Sequence, residues 1–321
     1  GDLLISDLYR GKLMRIGTDG SLPEEGWNTG YAVHVTGNRG SAIVNYLPVD
    51  SLRYPYFHFG PDGSLYISGG QSCFESRYHH YNLEGGVNNP KYHFPIEGDR
   101  SGYVWKLALK PGPKAEKLGV VGGFKQASGI VVDGDHMIVA DAGNSRIQVC
   151  TIDGEVVASI THYTDKGEEQ RILDPTALAI DRDNCLYVLV GSQERPEDLR
   201  TERGVRQVQD ALHASAFEEL PPPRKVIKLK SWRSPELLAE SAPVHTYVMQ
   251  IAVDAGVSPP LVYVANGGGP GSLQQLSGAD LSLKALWQDD GKTLSNPRQD
   301  SGMPILNIDP ETGHVYVEDD A

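Results

Sequence analysis

The chain has 321 residues, with 29 Lys and Arg against 42 Asp and Glu, so its formal net charge of −13 argues against a phosphate backbone as partner. Thirty-six glycines and 21 prolines interrupt the backbone too often for a helical bundle. Three cysteines, Cys73, Cys150 and Cys185, form no close pair and no CxxC, which excludes a zinc knuckle, and no run of apolar residues is long enough to span a membrane.

Taken in chain order, one short pattern recurs. "LLISD" (3–7) is followed by the strand-like "GKLMRIGTDGS", and "FHFGPDGS" leads into "LYISG" (65–69) and later "GYVWKLALKPG". "GIVVDGDH" leads into "MIVAD" (137–141) and "SRIQVCTIDGE"; "ALAIDRDNC" into "LYVLV" (186–190) and "RKVIKLKSW". "QIAVDAGVSPP" precedes "VYVAN" (262–266) and "GSLQQLSGADLS", and the chain closes on "LNIDPETGH" and "VYVED" (315–319). Each copy joins β-branched or aromatic runs through Asp-Gly, Pro-Asp-Gly or related turns that tolerate positive φ. A sheet of three or four such strands cannot bury both faces alone, whereas copies arranged radially bury each sheet between two neighbours. The fold class is therefore all-β, a β-propeller. Residues 303–319 and the opening strand are expected to complete one blade. The start at Gly1, inside a strand-like run, is read as a removed signal peptide, hence an extracellular or periplasmic location, or as part of a longer polypeptide with further domains.

Two segments break the period between a second and a third strand. Residues 70–101 are rich in Tyr, His, Asn and Gly, and residues 192–223 contain "EDLRTERGVRQVQDALHASAFEEL", which reads as an amphipathic helix ended by three prolines. Long connections on a rigid scaffold commonly carry binding groups. The basic run "PPPRKVIKLKSWR" (221–233) alternates as a strand does, and its lysines are expected on the solvated face. "VANGGGPGS" (264–272) lacks the Lys-Ser/Thr and the helix of a phosphate loop and reads as a turn.

The segment "SGIVVDGDHMIVADAGNSRIQVCTIDGEVV" (128–157) resembles an NHL-type propeller repeat, and weaker copies recur over most of the chain. The resemblance implies a single NHL-like domain over residues 1–321 with six blades, five or seven being the alternatives. It also implies that Asp141 at the end of its strand ties neighbouring strands, with Arg146 as partner. In metal-dependent enzymes of similar architecture, the gluconolactonase-like hydrolases and peptide-amidating lyases, the ligands stand just before the first strand. Those positions here are Pro55, Ser128, Thr176, Met249 and Pro304, which form no divalent-metal set. "HFGPDGSLYISGGQ" and "GGFKQASGIVVDGDHMIVADAG" are similar to soluble quinoprotein sugar dehydrogenases. Where that family has its catalytic His this chain has Leu52, Arg53, Tyr54 and Pro55, and Gly123, Phe124, Lys125 and Gln126 stand where the family's Gly-Phe-Arg-Asn segment supplies an Arg to pyrroloquinoline quinone.

The richest chemistry lies in the first insertion, where Arg77, Tyr78, His79, His80, Tyr81, Tyr92 and His93 accompany Glu75. Such groups can pack over the scaffold, contact a ligand, or supply general acid and base. Two readings follow. The first is a binding module for a glycan, peptide or protein, with Arg77, Tyr78, Tyr92, Lys125 and Ser128 as ligand contacts and no cofactor. The second is an enzyme on the same scaffold, a quinoprotein-like sugar oxidoreductase or a lyase or hydrolase, with His58, His79, His80, Tyr81 and His93 as catalytic candidates and pyrroloquinoline quinone or a divalent metal as cofactor.

Overall fold

In a computed structural model of the chain, the residues described are 2–7, 12–17, 31–32, 44–45, 56–60, 62–68, 104–108, 116–125, 127–191, 224–244, 248–266, 272–288, 306–308 and 315–317. They form two compact units, Gly1–Ile138 with Cys150–Val157, and Val139–Val149 with Ala158–Ala321. Among the described residues the regular structure is antiparallel sheet apart from one short 3-10 turn, and no helix is long and apolar enough to cross a membrane. The helix expected within 192–223 lies outside the described residues.

In the first unit, β1 (Asp2–Asp7) pairs with β2 (Lys12–Gly17), and β3 (Tyr31–Ala32) with β4 (Val44–Asn45). A four-stranded meander follows: β5 (Tyr56–Phe59), β6 (Leu65–Ser68), β7 (Val104–Ala108) and β8 (Glu116–Val121). Its first turn is organised by Asp62, whose carboxylate accepts the Ser64 N–H and hydroxyl, each at 3.0 Å, while Gly63 takes the positive φ of 74° that side chains resist. A second four-stranded sheet is β9 (Ala127–Asp133), β10 (His136–Asp141), β11 (Arg146–Thr151) and β12 (Val156–Ile160), whose residues belong to both units. β9 lies beside β5 and β6, where the Ser68 hydroxyl donates to the Ser128 carbonyl.

In the second unit two further meanders have the same order. One is β15 (Ala177–Ile180), β16 (Leu186–Gly191), β17 (Arg224–Leu229) and β18 (Leu237–Glu240); the other is β19 (Val248–Asp254), β20 (Leu261–Asn266), β21 (Ser272–Ser277) and β22 (Leu283–Gln288). β23 (Leu306–Ile308) pairs with β24 (Val315–Val317). Between β12 and β15 comes a hairpin, β13 (His162–Asp165) and β14 (Glu168–Arg171), that sequence periodicity did not reveal. Its two-residue turn places both Lys166 and Gly167 at positive φ, 50° and 90°, the geometry that matches the twist of paired strands. Thr164 bridges Glu236 in parallel and donates its N–H to the Pro235 carbonyl at 2.9 Å, so the hairpin covers the outer edge of its blade at β18.

These four-stranded meanders are propeller blades. Burial grades across them where side chains are described: β16 is buried along its whole length, whereas β12 and β18 expose alternate or successive residues such as Val156, Val157 and Leu238. Middle strands are covered on both faces and read as continuous apolar runs; outer strands meet water.

Candidate functional site

Both insertions occupy the same connection in their sheets. Residues 70–101 join β6 to β7, and 192–223 join β16 to β17. The roots of the second insertion are fixed by one short segment before β15. Gly191 donates its N–H to the Leu173 carbonyl at 2.8 Å, and the Arg224 guanidinium donates to the Asp174 carbonyl at 2.9 Å and to its carboxylate at 2.6 Å. Arg224 is 3% exposed, so this fork-shaped donor holds its carboxylate largely out of water. The first insertion springs from Ser68 and Val104, facing partners across β6 and β7, both buried. Arg77, Tyr78, His79, His80, Tyr81, Tyr92 and His93 lie within it, outside the described residues.

Of the remaining candidates, Lys125 is exposed in the connection from β8 to β9, and Ser128 is buried in β9. His58 sits on β5 directly opposite Tyr66 of β6, which in turn faces Lys106 of β7. Cross-strand partners share a sheet face, so the three form a row. The Lys106 ammonium lies 5.3 Å from the centre of the Tyr66 ring and 2.9 Å from the Asp62 carboxylate, and chiefly by this bond it holds Asp62 down at about 2. His58 Nδ1 and the Tyr66 hydroxyl are buried without a hydrogen-bond partner. Burial lowers the pKa of His58, against a smaller opposing effect of the nearby Phe59 backbone.

The same row recurs in the second unit with its polar atoms satisfied. Ala179, Tyr187 and Lys228 face one another across β15, β16 and β17. The Tyr187 hydroxyl lies 3.0 Å from the Asp181 carboxylate and 3.2 Å from the Gly278 carbonyl, and Lys228 Nζ donates to that carbonyl at 2.6 Å. Burial, followed by the Asp181 charge, pushes the Tyr187 hydroxyl far up. One blade is thereby latched to the turn of the next. The expectation that the lysines of 221–233 form a solvated face is corrected here: Lys230 is exposed and Lys225 pairs with Glu240, but Lys228 is buried over the Tyr187 ring and Arg224 is buried at the insertion root. Lys225 and Lys228 are three residues apart on one strand and so point to opposite faces.

Asp141 is fully buried and accepts Arg146 Nε at 2.6 Å and Asn144 Nδ2 at 2.8 Å, a strand tie as expected. The Thr176 hydroxyl, just before β15, is buried without a partner. Among the described residues no three His, Cys, Asp or Glu converge as a metal site. Cys150 is a buried thiol and Cys185 a half-buried one, raised chiefly by burial. The latch and the root clamp were missed in the sequence because their partners are 18 to 91 residues apart. The local signal of the latch is the Tyr at the centre of "LYI" and "LYV" with a Lys in the following strand; opposite the Tyr of "VYV" (262–264) that place is taken by Gln275.

Residues 124–150 match the NHL repeat model. Among solved structures, the chain is similar to virginiamycin B lyase from Staphylococcus aureus, at 8% identity and a TM-score of 0.46 over 99% of this chain and 80% of that one. It is also similar to the Neurospora crassa Pan2 WD40 domain, at 10% identity and a TM-score of 0.39 over 73% of this chain and 49% of that one. Comparison with curated protein sequences gives no match.

Proposed function

We propose that this chain of NHL-type propeller blades is a binding module that recognises a glycan, peptide or protein through the segments inserted between second and third blade strands. The supporting observation is the root clamp, in which Leu173 and Asp174 fix Gly191 and Arg224 at both ends of the 192–223 segment. Long segments that leave a regular scaffold from fixed ends commonly carry binding groups. In the companion insertion, Tyr78 and Tyr92 offer apolar rings with polar tips and Arg77 a planar donor, with the exposed Lys125 as a further contact. The acidic balance favours neutral or cationic ligands over nucleic acid.

A second reading rests on His58 and Tyr66, which face each other across β5 and β6. An imidazole opposite a phenol can serve as base and acid, and with His79, His80, Tyr81 and His93 it supports a lyase, a hydrolase or a quinone-dependent sugar oxidoreductase. The two readings separate on glycan and peptide arrays. A binding module retains its ligand chemically unchanged, and the R77A/Y78A/Y92A variant loses at least tenfold in affinity with an unchanged unfolding midpoint. Turnover of the captured ligand that disappears in H58A, or quinone absorbance in the purified protein, overturns the binding reading in favour of the enzyme.

A further inference from the structure

In the second unit, the turns at the ends of β15, β19 and β23 line a half-open cavity of about 290 Å³. It lies at the Leu186 end of β16, whereas the 192–223 insertion leaves from the Gly191 end, so it is separate from the recognition segment proposed above. Three of its walls are equivalent positions of successive blades. Ile180 ends β15, Val253 precedes the last residue of β19, Ile308 ends β23, and an aspartate follows each in the sequence. β19 lies beside both β15 and β23, which brings these side chains together with Ala255. All four are half-buried, so an apolar group seated among them removes their surface from water.

The charged groups of the cavity are Asp181 and Arg182. Asp181 is 6% exposed and already engaged: one oxygen accepts the N–H groups of Asp183 and Cys185, the other receives the Tyr187 hydroxyl, and the Lys228 ammonium lies 3.9 Å away. A cationic ligand finds this carboxylate occupied and balanced. Arg182 is exposed and makes no hydrogen bond or ion pair among the described residues, so its donors remain available at the rim. We infer that this cavity binds a small monocarboxylic acid with a compact branched tail, its apolar body on Ile180, Val253 and Ile308 and its carboxylate on Arg182. The volume lies at the lower end of the range for ligand pockets, which suits a small acid.

Calorimetric titration of the full chain with 4-methylpentanoate and with 4-methylpentanamide tests this assignment. The acid is expected to bind saturably at one site, the amide about tenfold more weakly, because a charge-assisted bond is lost. Arg182→Gln, on an exposed side chain, leaves the unfolding midpoint unchanged, lowers affinity for the acid to that for the amide, and does not change binding of the amide. Absence of saturable binding, equal affinity for acid and amide, or an unaffected Arg182→Gln variant overturns the proposal. A peptide ending in leucine that binds more than tenfold tighter than the free acid also overturns it, transferring the site to a polypeptide terminus.

Discussion

Replacing Gly278 by alanine tests whether the blade seam in the second unit depends on one close backbone approach. A Cβ built at Gly278 stands 2.5 Å from the Pro260 carbonyl oxygen and 3.0 Å from its carbonyl carbon, so the obstacle is main chain and cannot rotate away. The Gly278 N–H already donates to that oxygen at 2.7 Å, which leaves no slack in the turn. Relieving the clash moves the Gly278 carbonyl, the acceptor of Lys228 Nζ at 2.6 Å and a neighbour of the Tyr187 hydroxyl at 3.2 Å. Overpacking costs about 1–3 kcal/mol and a lost bond from a charged donor about 1.5–3 kcal/mol, so the variant is expected to lose about 3–5 kcal/mol. Urea unfolding followed by the fluorescence of Trp232, a buried residue of the same unit, measures it. Lys228→Met should cost less when introduced into G278A than into the parent, since the bond is already broken. A G278A variant within about 0.5 kcal/mol of the parent, or strict additivity with K228M, refutes the reasoning.

Three further outcomes follow from the geometry. Asp141→Asn keeps the shape of the buried strand tie but removes its charge toward Arg146 and Asn144; a loss of about 1.5–3 kcal/mol is expected in the same assay, and an unchanged midpoint would exclude the tie as a source of stability. Arg224→Gln breaks a buried pair at the insertion root, costs about 3 kcal/mol, and should speed protease cleavage within 192–223, read by mass spectrometry. His58 has its pKa lowered by burial from 6.5, so the unfolded chain binds a proton that the folded chain refuses. Its stabilising effect is complete above about pH 6.5 and declines as the pH falls toward the depressed folded value. Unfolding midpoints of the parent and His58→Ala between pH 7 and pH 5 should therefore converge; parallel curves argue against a buried neutral imidazole.

The strands at the centre of each blade were legible because both of their faces are covered, which turns "LYVLVG" and "HMIVAD" into nearly continuous buried runs, entered through the turns "DRDN" and "DGD". Outer strands carried less signal. "VVASI" and "LLAE" are half exposed, and their pairing is decided by the neighbour they complete. The hairpin "HYTDKGEEQR" was hidden for another reason: apart from Tyr163 its residues are polar, and what holds it is a bridge to Glu236, 72 residues from Thr164 if the positions are subtracted. Of the candidate site, the positions of the insertions were readable from broken periodicity, as was the tie between Asp141 and Arg146, two residues only five apart. The row of His58, Tyr66 and Lys106 was not, because register rather than spacing aligns residues on three strands.

The clamp of Leu173 and Asp174 on Gly191 and Arg224 also bears on how this surface can diversify. Both ends of the inserted segment are set by bonds to a third stretch of chain, so the spacing of β16 and β17 at this end is held by residues outside the segment. Doubling the length of such a segment costs only about 0.6 kcal/mol in closure entropy, less than a single buried contact in the blade. The position is thus the expected graft point of the blade, where a change of length carries a small closure cost.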